Sequence, residues 1–377
     1  MRPTSPCDGS RIEIVEVGGR GGVHQHTVAL AGLLAAHGFA TPVLHTATDH
    51  EELADGVVAC TCFTWLRHRR RLRPLGIGLS FLFRTLPHLA RRGRGCAVWV
   101  QGMFKPSLTL LLLAVLRLRG CATILSPHNL FSRTGSPAEE WLIRQCVRVA
   151  RHVVVYNAVD RDRLRSRNRA VWQLPLVQCA PPVPRSTLDA WRSRLPPGGE
   201  VVSAIGQIRA DKNLPLLIEG AARAGVGVVV VGPDTGGLAE ARRRADELGV
   251  DVRFHPGYHP LEDLGAVLAL TGVVVCPYAV ASQSGVARLA RSYGAVVVAT
   301  GVGGLGEQAD VVIEELTPDA VARAVLAGLH RHKSEPPRPT ALVSAAEDDA
   351  LLAFLTALGR AAPTGTAVGA DALPRTP

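Results

Sequence analysis

Two cationic side chains stand close together in the second half of the chain, in a turn suited to an anion. Arg209 and Lys212 follow Gly206 and precede an apolar stretch with helical spacing. An arginine fork and a lysine ammonium in one turn suit a doubly charged pyrophosphate. The alternative is a pair of exposed cations at an ordinary helix start. The spacing favours a diphosphate site at residues 206–212.

A second stretch, residues 282–307, offers hydroxyl and backbone N–H groups instead of charge. Ser282, Ser284 and Gly285 stand where a helix is expected to begin, and Val286 follows them. The first N–H groups of a helix have no internal partner and carry partial positive charge, so a phosphate binds there readily. An ordinary loop–helix–strand unit is the alternative. We interpret this stretch as a diphosphate cradle.

Both turns must be positioned by regular secondary structure. Along the chain, short apolar runs alternate with stretches of helical spacing, a pattern typical of parallel α/β sheets. Predicted strands lie at residues 12–17, 41–44, 96–100, 122–125, 153–156, 201–205, 226–231, 250–254, 273–276, 295–299 and 311–313. Ligands gather at the carboxyl ends of such strands. His255, Gly257 and Tyr258 follow one of these strands, and we predict that they contact a nucleotide base.

The chain is expected to hold two domains, because 377 residues is long for a single core. Proline and glycine concentrate just before the second set of strands, a composition typical of linkers. The predicted parts are a Rossmann-like domain at 1–180, a proline-rich linker at 181–200, a second Rossmann-like domain at 201–340, a helix at 341–360 and a disordered tail at 361–377. Two such domains imply a cleft between them.

The first domain opens with a glycine-rich turn, residues 18–22, between a strand and a helix. A nicotinamide fingerprint would need a third glycine where Val23 or His24 stands, and an acidic residue at the end of the second strand. The chain lacks this pattern, which argues against a nicotinamide cofactor. His24 and His26 lie at the start of the helix, within reach of the expected cleft.

Several other patterns bear on metals and on location. Cys60-Thr-Cys62 is tighter than a standard zinc half-site, and the chain has no Cys-x-x-Cys pair. Asp160-Arg-Asp162 starts a helix, so helix capping explains it better than metal ligation. We therefore expect no metal and no cofactor. Without a segment that resembles a signal peptide or an apolar run of about 18 residues, we expect a cytoplasmic protein.

Positive charge concentrates in one segment. Between Asp55 and Glu139 there is no acidic residue, whereas Lys105 and twelve arginines give this stretch a charge of +13, against +10 for the whole chain. Its part at 61–95 also carries apolar and aromatic side chains. A basic and apolar segment suits an anionic membrane surface, which we expect as a partner in preference to nucleic acid. A solvated, arginine-rich helix pair is the alternative.

The order of these motifs resembles the family-4 retaining glycosyltransferases (glycosyl transferases group 1) with the GT-B architecture. The motifs are Gly206 with Arg-x-x-Lys-Asn, a Val-Val-Val-Gly strand end, Pro277-Tyr278, Ser284-Gly285 and a Gly-Gly turn before Glu307. The resemblance covers nearly the whole chain and is more specific in its second half. It implies two Rossmann-like, doubly wound parallel-sheet domains that face each other across a cleft. The second would hold a nucleotide-sugar donor and the first an acceptor.

The resemblance also implies roles for individual residues. Lys212 matches the lysine that contacts the donor diphosphate, and Arg209 looks like a neighbouring arginine. Gly21 and Gly22 look like the glycine turn near the transferred sugar, and His128 like a histidine beside that sugar. Arg209, Lys212 and His128 are therefore the candidate catalytic residues.

One departure concerns two glutamates that many members carry eight positions apart, one near the sugar and one on the donor ribose. In an alignment on Gly285, Ser282 and Ala290 stand at those positions. A version with Ser-x-Ser-Gly-Val resembles a branch of the same enzymes, so their absence does not exclude activity. The donor ribose is left without an assigned contact.

The sequence thus predicts a hexosyltransferase that moves sugar from a UDP- or GDP-sugar to a glycan or lipid-linked acceptor. We expect retention of configuration, no metal requirement, and a place in cell-surface polysaccharide synthesis at the inner face of the membrane. The alternatives are an inactive GT-B-fold protein that binds nucleotide or glycan, and a sugar-nucleotide epimerase or nicotinamide enzyme of similar fold.

Overall fold

The computed structural model describes residues 12–37, 42–47, 50, 53–54, 56–63, 72–92, 96–103, 105–130, 136–166, 170–335, 339 and 344–358. The chain divides into two compact units. The first comprises Met1–Val177 together with Val343–Pro377, and the second comprises Gln178–Leu342. The predicted tail at 361–377 lies outside the described residues.

The first unit is built on a seven-stranded parallel sheet. Its strands are β1 (Ile12–Val15), β2 (Val43–Ala47), β3 (Val58–Phe63), β4 (Ala97–Gln101), β5 (Ala122–Ser126), β6 (His152–Val155) and β7 (Val171–Gln173). They lie in the order β3-β2-β1-β4-β5-β6-β7. The order changes direction between β1 and β4, so the carboxyl ends of these two strands flank the point where ligands gather in such sheets.

The second unit is built on a six-stranded parallel sheet. Its strands are β8 (Val201–Ile205), β9 (Gly227–Gly232), β10 (Val252–Pro256), β11 (Val273–Cys276), β12 (Val296–Thr300) and β13 (Val311–Ile313). They lie in the order β10-β9-β8-β11-β12-β13, and the direction changes between β8 and β11. Two parallel-sheet α/β units confirm the predicted fold class.

Helices connect the strands in both units. Their bounds are α1 (Gly22–Ala36), α2 (Arg73–Ser80), α3 (Leu86–Ala90), α4 (Pro106–Leu118), α5 (Pro137–Val149), α6 (Ala158–Arg165), α7 (Arg185–Arg192), α8 (Leu214–Ala224), α9 (Leu238–Leu248), α10 (Leu261–Thr271), α11 (Gly285–Ser292), α12 (Pro318–Ser334) and α13 (Ala345–Ala357). A π-helical turn, Phe81–Thr85, joins α2 to α3.

Both faces of the first sheet are covered, because successive residues of a strand point to opposite sides. Ile14 and Trp99 contribute to one buried cluster, and Val98 and Val100 to the other. The C-terminal helix α13 completes the first of these clusters, since the ring of Phe354 lies 5.5 Å from that of Trp99. A segment far along the chain is therefore part of the first unit.

Two strands were not predicted, and a helix lies in the range predicted as a linker. The strand β3 consists mostly of small residues and alternates little between apolar and polar side chains, and β7 has only three residues. The helix α7 occupies the middle of the range predicted as a linker. It is held in the second unit by Trp191, which is fully buried and donates a hydrogen bond from Nε1 to Asp263 Oδ1 at 2.9 Å.

The basic segment at 61–95 is described only in part. Residues 64–71 and 93–95 lie outside the described residues. Within the described part, Ile77, Phe81 and Leu89 are buried in the first unit, whereas Phe83 is 65% exposed. No helix among the described residues is long and apolar enough to cross a membrane.

Candidate functional site

In the second unit, the cationic turn follows β8 at the carboxyl edge of the sheet. Gly206 has a φ of +101°, a conformation that favours glycine. A short 3₁₀ turn, Ala210–Lys212, leads to Asn213, which adopts the left-handed conformation with a φ of 49°. The Asn213 side chain donates to Pro277 O at 3.0 Å, and Asp211 O accepts from Ala279 N at 3.0 Å. These bonds tie the turn to the end of the neighbouring strand β11.

Lys212 is the best-placed cation in this turn. Its Nζ lies 3.4 Å from the centroid of the Tyr278 ring, an arrangement in which the ring face attracts the ammonium group. Tyr278 is almost fully buried, and burial raises the pKa of its hydroxyl well above the ordinary value. The phenol is therefore neutral, and its ring face holds the Lys212 ammonium group at the edge of the sheet by a cation–π contact.

Arg209 is held differently, by its acidic neighbour Asp211. Its Nε donates to Asp211 Oδ1 at 2.9 Å and its Nη2 to Asp211 Oδ2 at 2.7 Å. A two-bond pair of this kind fixes the guanidinium and offsets part of its charge. Of the two cations, Lys212 thus has the stronger physical case for binding a diphosphate. The sequence does contain an indication of this ion pair, since Asp211 stands two positions after Arg209.

The start of α11 supplies backbone donors. Ser284 caps this helix: its Oγ accepts from Ala287 N at 3.3 Å. Ser284 is itself fixed by Gln308, whose Oε1 accepts from Ser284 N at 2.9 Å and whose Nε2 donates to Ser284 O at 3.3 Å. The amides of Gly285 and Val286 have no hydrogen-bond acceptor among the described residues. They are the donors that this helix can offer to an anion.

The cationic turn and the start of α11 are neighbours in space. A β-carbon placed on Gly206 would lie 3.1 Å from Val286 Cγ2. On the other side, a β-carbon on Gly232 would lie 1.9 Å from Gly206 O, so the end of β9 also presses against this turn. The structure therefore brings Gly206, Lys212 and the first turn of α11 to one place at the carboxyl edge of the second sheet.

The two positions aligned with the absent glutamates are both buried. Ala290 is fully buried in α11, and Ser282 is 5% exposed. Ser282 O accepts from Gly304 N at 2.8 Å, and Gly303 fits only because it has no side chain, since a β-carbon there would lie 2.1 Å from Ala281 O. The second glycine turn thus packs against Ser282 and holds it in place.

The predicted base-binding residues lie at the end of β10, an edge strand of the second sheet. His255 packs against α7: its ring lies 4.9 Å from that of Trp191, and its Nε2 lies 3.4 Å from Arg194 O. Gly257 N donates to Gly232 O at 3.1 Å, which joins this turn to the end of β9. Tyr258 is 48% exposed. The His255 side chain is therefore engaged in packing, and Tyr258 is the ring open to a ligand.

In the first unit, a buried carboxylate organises the glycine turn. Glu16 follows β1 and accepts from Gly18 N at 2.6 Å and Gly19 N at 2.8 Å. The same carboxylate lies 2.7 Å from His24 Nδ1. Gly21 has a φ of +82° and precedes α1, and a β-carbon on Gly21 or Gly22 would meet no atom within 4 Å. The turn thus leaves room beside the helix start, where a ligand can approach the backbone.

The other first-unit candidates join a buried polar network at the ends of β4, β5 and β6. His128 Nε2 lies 2.8 Å from Gln101 Oε1, and the His128 ring stacks on Tyr156 with centroids 5.0 Å apart. The Tyr156 hydroxyl lies 2.9 Å from His26 Nε2, and the His26 ring lies 5.5 Å from that of His128. Three predicted strand ends thus bring together side chains that are far apart in the sequence.

Burial sets the protonation of this network. It lowers the pKa of His26 from 6.5 to about 4, although the hydrogen bond to Val177 O raises it. Burial, and then the neighbouring His26, hold the pKa of His128 well below its ordinary value. Both imidazoles are therefore neutral near neutral pH. His128 also has a φ of 56°, a conformation that costs energy for a side chain of its size and clusters at functional sites.

A parallel sheet that presents a lysine and a helix start at the carboxyl ends of its strands is typical of nucleotide-binding α/β proteins. Comparison with known proteins narrows this class. Residues 199–331 match the family described as Glycosyl transferases group 1. This match lies within the second unit and covers most of it, which indicates that the protein is a glycosyltransferase.

Solved structures agree on the fold over both units. HepE from Anabaena, in complex with UDP and glucose, matches with a TM-score of 0.68 at 13% identity, over 92% of this chain and 95% of that chain. Sucrose-phosphate synthase from Thermosynechococcus elongatus matches with a TM-score of 0.64 at 17% identity, over 93% and 96%. A protein from E. coli described as trehalose-6-phosphate, bound with UDP-2-fluoro glucose, matches with a TM-score of 0.60 at 14% identity, over 93% and 96%. A search of curated proteins finds no match. At these identities, the likeness shows a shared GT-B fold.

Proposed function

We propose that the protein transfers a sugar from a nucleoside-diphosphate sugar, a UDP- or GDP-sugar, to a glycan or lipid-linked acceptor. The observation that carries this proposal is the convergence of Lys212 and the start of α11 in the second unit. Lys212 supplies an ammonium group over the Tyr278 ring, and Gly285 and Val286 supply backbone donors. Two structural neighbours were solved with UDP or a UDP-sugar analogue, which supports a nucleotide-sugar donor.

Breaking the glycosidic bond of such a donor leaves negative charge on the departing diphosphate. A fixed ammonium and aligned amides stabilise that charge, and they need no rearrangement as it develops. The proposed transfer therefore needs no metal ion or other cofactor. Retention of configuration is proposed from the resemblance to family-4 enzymes. In the first unit, we propose that Gly21, Gly22 and His128 contact the transferred sugar.

The acceptor is proposed from the charge and the exposed side chains of the first unit. Phe83 is 65% exposed and Leu75 is 55% exposed, and Arg84 lies beside Phe83 in the chain. This combination suits an anionic membrane surface and hence a lipid-linked acceptor, as in the synthesis of cell-surface polysaccharide on the inner face of a membrane.

The decisive experiment replaces Lys212 by glutamine, which shortens the side chain by one atom, keeps it polar and removes its charge. Loss of one group that stabilises transition-state charge lowers kcat by about 10²–10³-fold. Donor hydrolysis and sugar transfer are measured with UDP- and GDP-sugars. Lys333→Gln is the matched control, because Lys333 is an exposed lysine of the same unit that pairs with Glu200. Turnover by Lys212→Gln equal to that of the control would remove the diphosphate assignment.

A second candidate function is nucleotide binding without transfer. The observation that favours it is that the two aligned positions hold Ser282 and Ala290, both buried, so neither offers a carboxylate to a donor. In that case UDP or GDP would raise the melting temperature, since a ligand that binds only the folded state stabilises it. No donor would be hydrolysed or used. Any turnover that Lys212→Gln abolishes would dismiss this candidate.

A further inference from the structure

A second buried polar cluster lies in the first unit, on the three strands at one side of its sheet. Glu13 of β1 and His45 of β2 are fully buried. Cys62 of β3 is 7% exposed and Cys60 is partly buried. Nothing in the proposed sugar transfer uses these side chains, yet carboxylate, imidazole and thiol groups are costly to bury without partners.

Strand register places these groups on one face of the sheet. Val15 pairs with His45, and His45 pairs with Cys60, so both lie on the side of the sheet that Glu13 shares with Val15. Cys62 stands two positions after Cys60, and both side chains pack in the same buried cluster. The register shifts between Thr46 and Ala47, just beyond His45. The strands β2 and β3 thus bring an imidazole and two thiols to one point, beside Glu13 of β1.

The ligand atoms of His45, Cys60 and Cys62 all lie within 4.8 Å of one another. Cys62 Sγ is 3.9 Å from His45 Nδ1. We propose that these three side chains bind a thiophilic divalent cation, Zn²⁺. Zinc takes four ligands, at about 2.3 Å from sulfur and about 2.0 Å from nitrogen, so the three groups can close on one ion with small side-chain shifts. The fourth position is left for water or another small ligand, on the partly exposed side at Cys60.

Glu13 supplies the contact that a metal-binding histidine characteristically makes through its second nitrogen. His45 Nε2 lies 2.6 Å from Glu13 Oε2. When Nε2–H donates to the carboxylate, the lone pair of Nδ1 is directed to the side where the thiols lie. The spacing Cys-x-Cys is too tight to suggest zinc by itself, and the histidine that completes the set comes from the adjacent strand.

The charges of the cluster also balance with an ion in place. Two thiolates neutralise one divalent cation, and the Glu13 carboxylate is neutralised by Arg92, whose Nε lies 2.7 Å from Glu13 Oε1. A buried site of zero net charge avoids most of the cost of burying isolated ions.

A competing ligand set shares His45. Glu13, His45 and His88 also present atoms within 4.8 Å of one another. However, the separation of 2.6 Å between His45 Nε2 and Glu13 Oε2 is a hydrogen bond. Two atoms that bind one zinc tetrahedrally at about 2.0–2.2 Å lie more than about 3 Å apart. His88, whose side chain is 41% exposed, therefore has no part in the proposed site.

The test uses the full chain, stripped of metal with a chelator and kept reduced by a phosphine. Co²⁺ is added as the spectroscopic probe and Zn²⁺ as its competitor. We expect one Co²⁺ per chain, with a thiolate-to-cobalt charge-transfer band and the intense visible bands of a tetrahedral site, both lost when Zn²⁺ is added. A wild-type protein that shows no charge-transfer band while its thiols are titratable would overturn the proposal.

Variants assign the ligands. Cys60→Ser with Cys62→Ser should abolish the band, whereas Cys179→Ser, a change at a partly buried cysteine of the other unit, should leave it unchanged. Glu13→Gln keeps all three ligands and should weaken binding about 10–100-fold. His88→Ala should have no effect. A band that survives in the double variant, or that disappears in His88→Ala, would contradict the proposed ligand set.

A measurement on the wild-type protein covers the case in which the double variant fails to fold. Zn²⁺ should protect Cys60 and Cys62 from alkylation, with the sites read by mass spectrometry, and should leave alkylation of Cys179 unchanged. Equal labelling of Cys60 with and without Zn²⁺ would refute the site. Because the proposed ion takes no part in sugar transfer, its failure would leave the proposed function untouched.

Discussion

Acidification should destabilise the first unit through His26, because the fold holds this imidazole in its neutral form. Its Nδ1 donates to Val177 O at 2.8 Å, and its Nε2 lies 2.9 Å from the Tyr156 hydroxyl. Burial lowers its pKa from 6.5 to about 4. Between these two values the unfolded chain binds a proton that the folded chain does not. The free energy of unfolding therefore falls as the pH falls through this window, and the full value is kept above it.

The magnitude follows from the two pKa values. Between about pH 7 and about pH 5, a shift from 6.5 to 4 costs about 2 kcal/mol of stability. His128 acts in the same direction, because its pKa is also held below the ordinary value. Tyr156 stays neutral throughout, since burial raises its pKa. His26→Gln should remove the part of this pH-dependent destabilisation that comes from His26 and leave the part that comes from His128.

The assay is urea unfolding at the two pH values, followed by tryptophan fluorescence. Four of the five tryptophans precede residue 178 and so belong to the first unit. Between the two pH values, we expect the free energy of unfolding of His26→Gln to fall by about 2 kcal/mol less than that of the wild-type protein. His330→Gln, a change at an exposed histidine, should lose as much as wild type. The same pH dependence in His26→Gln and wild type would refute the assignment.

Two further predictions concern the second unit and the membrane. Gly232→Ala would place a β-carbon 1.9 Å from Gly206 O at a φ of 146°, so it should lower the free energy of unfolding by more than about 2 kcal/mol. It should also reduce the rise in melting temperature that UDP causes. An unchanged rise would contradict the packing of this turn. Phe83→Ser should reduce flotation with anionic vesicles about tenfold, since a buried aromatic ring contributes about 1.5–3 kcal/mol. Trp141→Ser, at another exposed aromatic residue, is the control, and equal flotation of the two variants would count against the segment around Phe83.

The cationic turn could be predicted from the sequence because its residues are adjacent in the chain. Gly206, Arg209 and Lys212 fall in one turn whatever the rest of the fold does. The pairing of Arg209 with Asp211 could not be predicted, since a carboxylate or a phosphate satisfies a guanidinium equally well and only the local geometry decides between them. The contact between Tyr278 and Lys212 could not be predicted either, since it forms only because β8 and β11 are neighbours.

The first-unit network shows the limit of local patterns more clearly. His128 was singled out by resemblance, but Gln101 and Tyr156 carry no signal of their own in the sequence. They meet His128 because β4, β5 and β6 are adjacent and their carboxyl ends share one edge. The role of Glu16 could have been predicted more easily, since Glu16 stands directly between β1 and the glycine turn in the sequence.

By itself, the sequence determined the alternation of strands and helices, the two parallel sheets and the turns that follow their strands, because these depend on side-chain period and on glycine and proline nearby in the chain. Tertiary structure alone decided which turns meet, which charges are already paired and which groups are buried. Strand order is the physical reason. Placing β2 and β3 beside β1 joins Glu13, His45 and the two cysteines, and placing β11 beside β8 joins Lys212 to Tyr278.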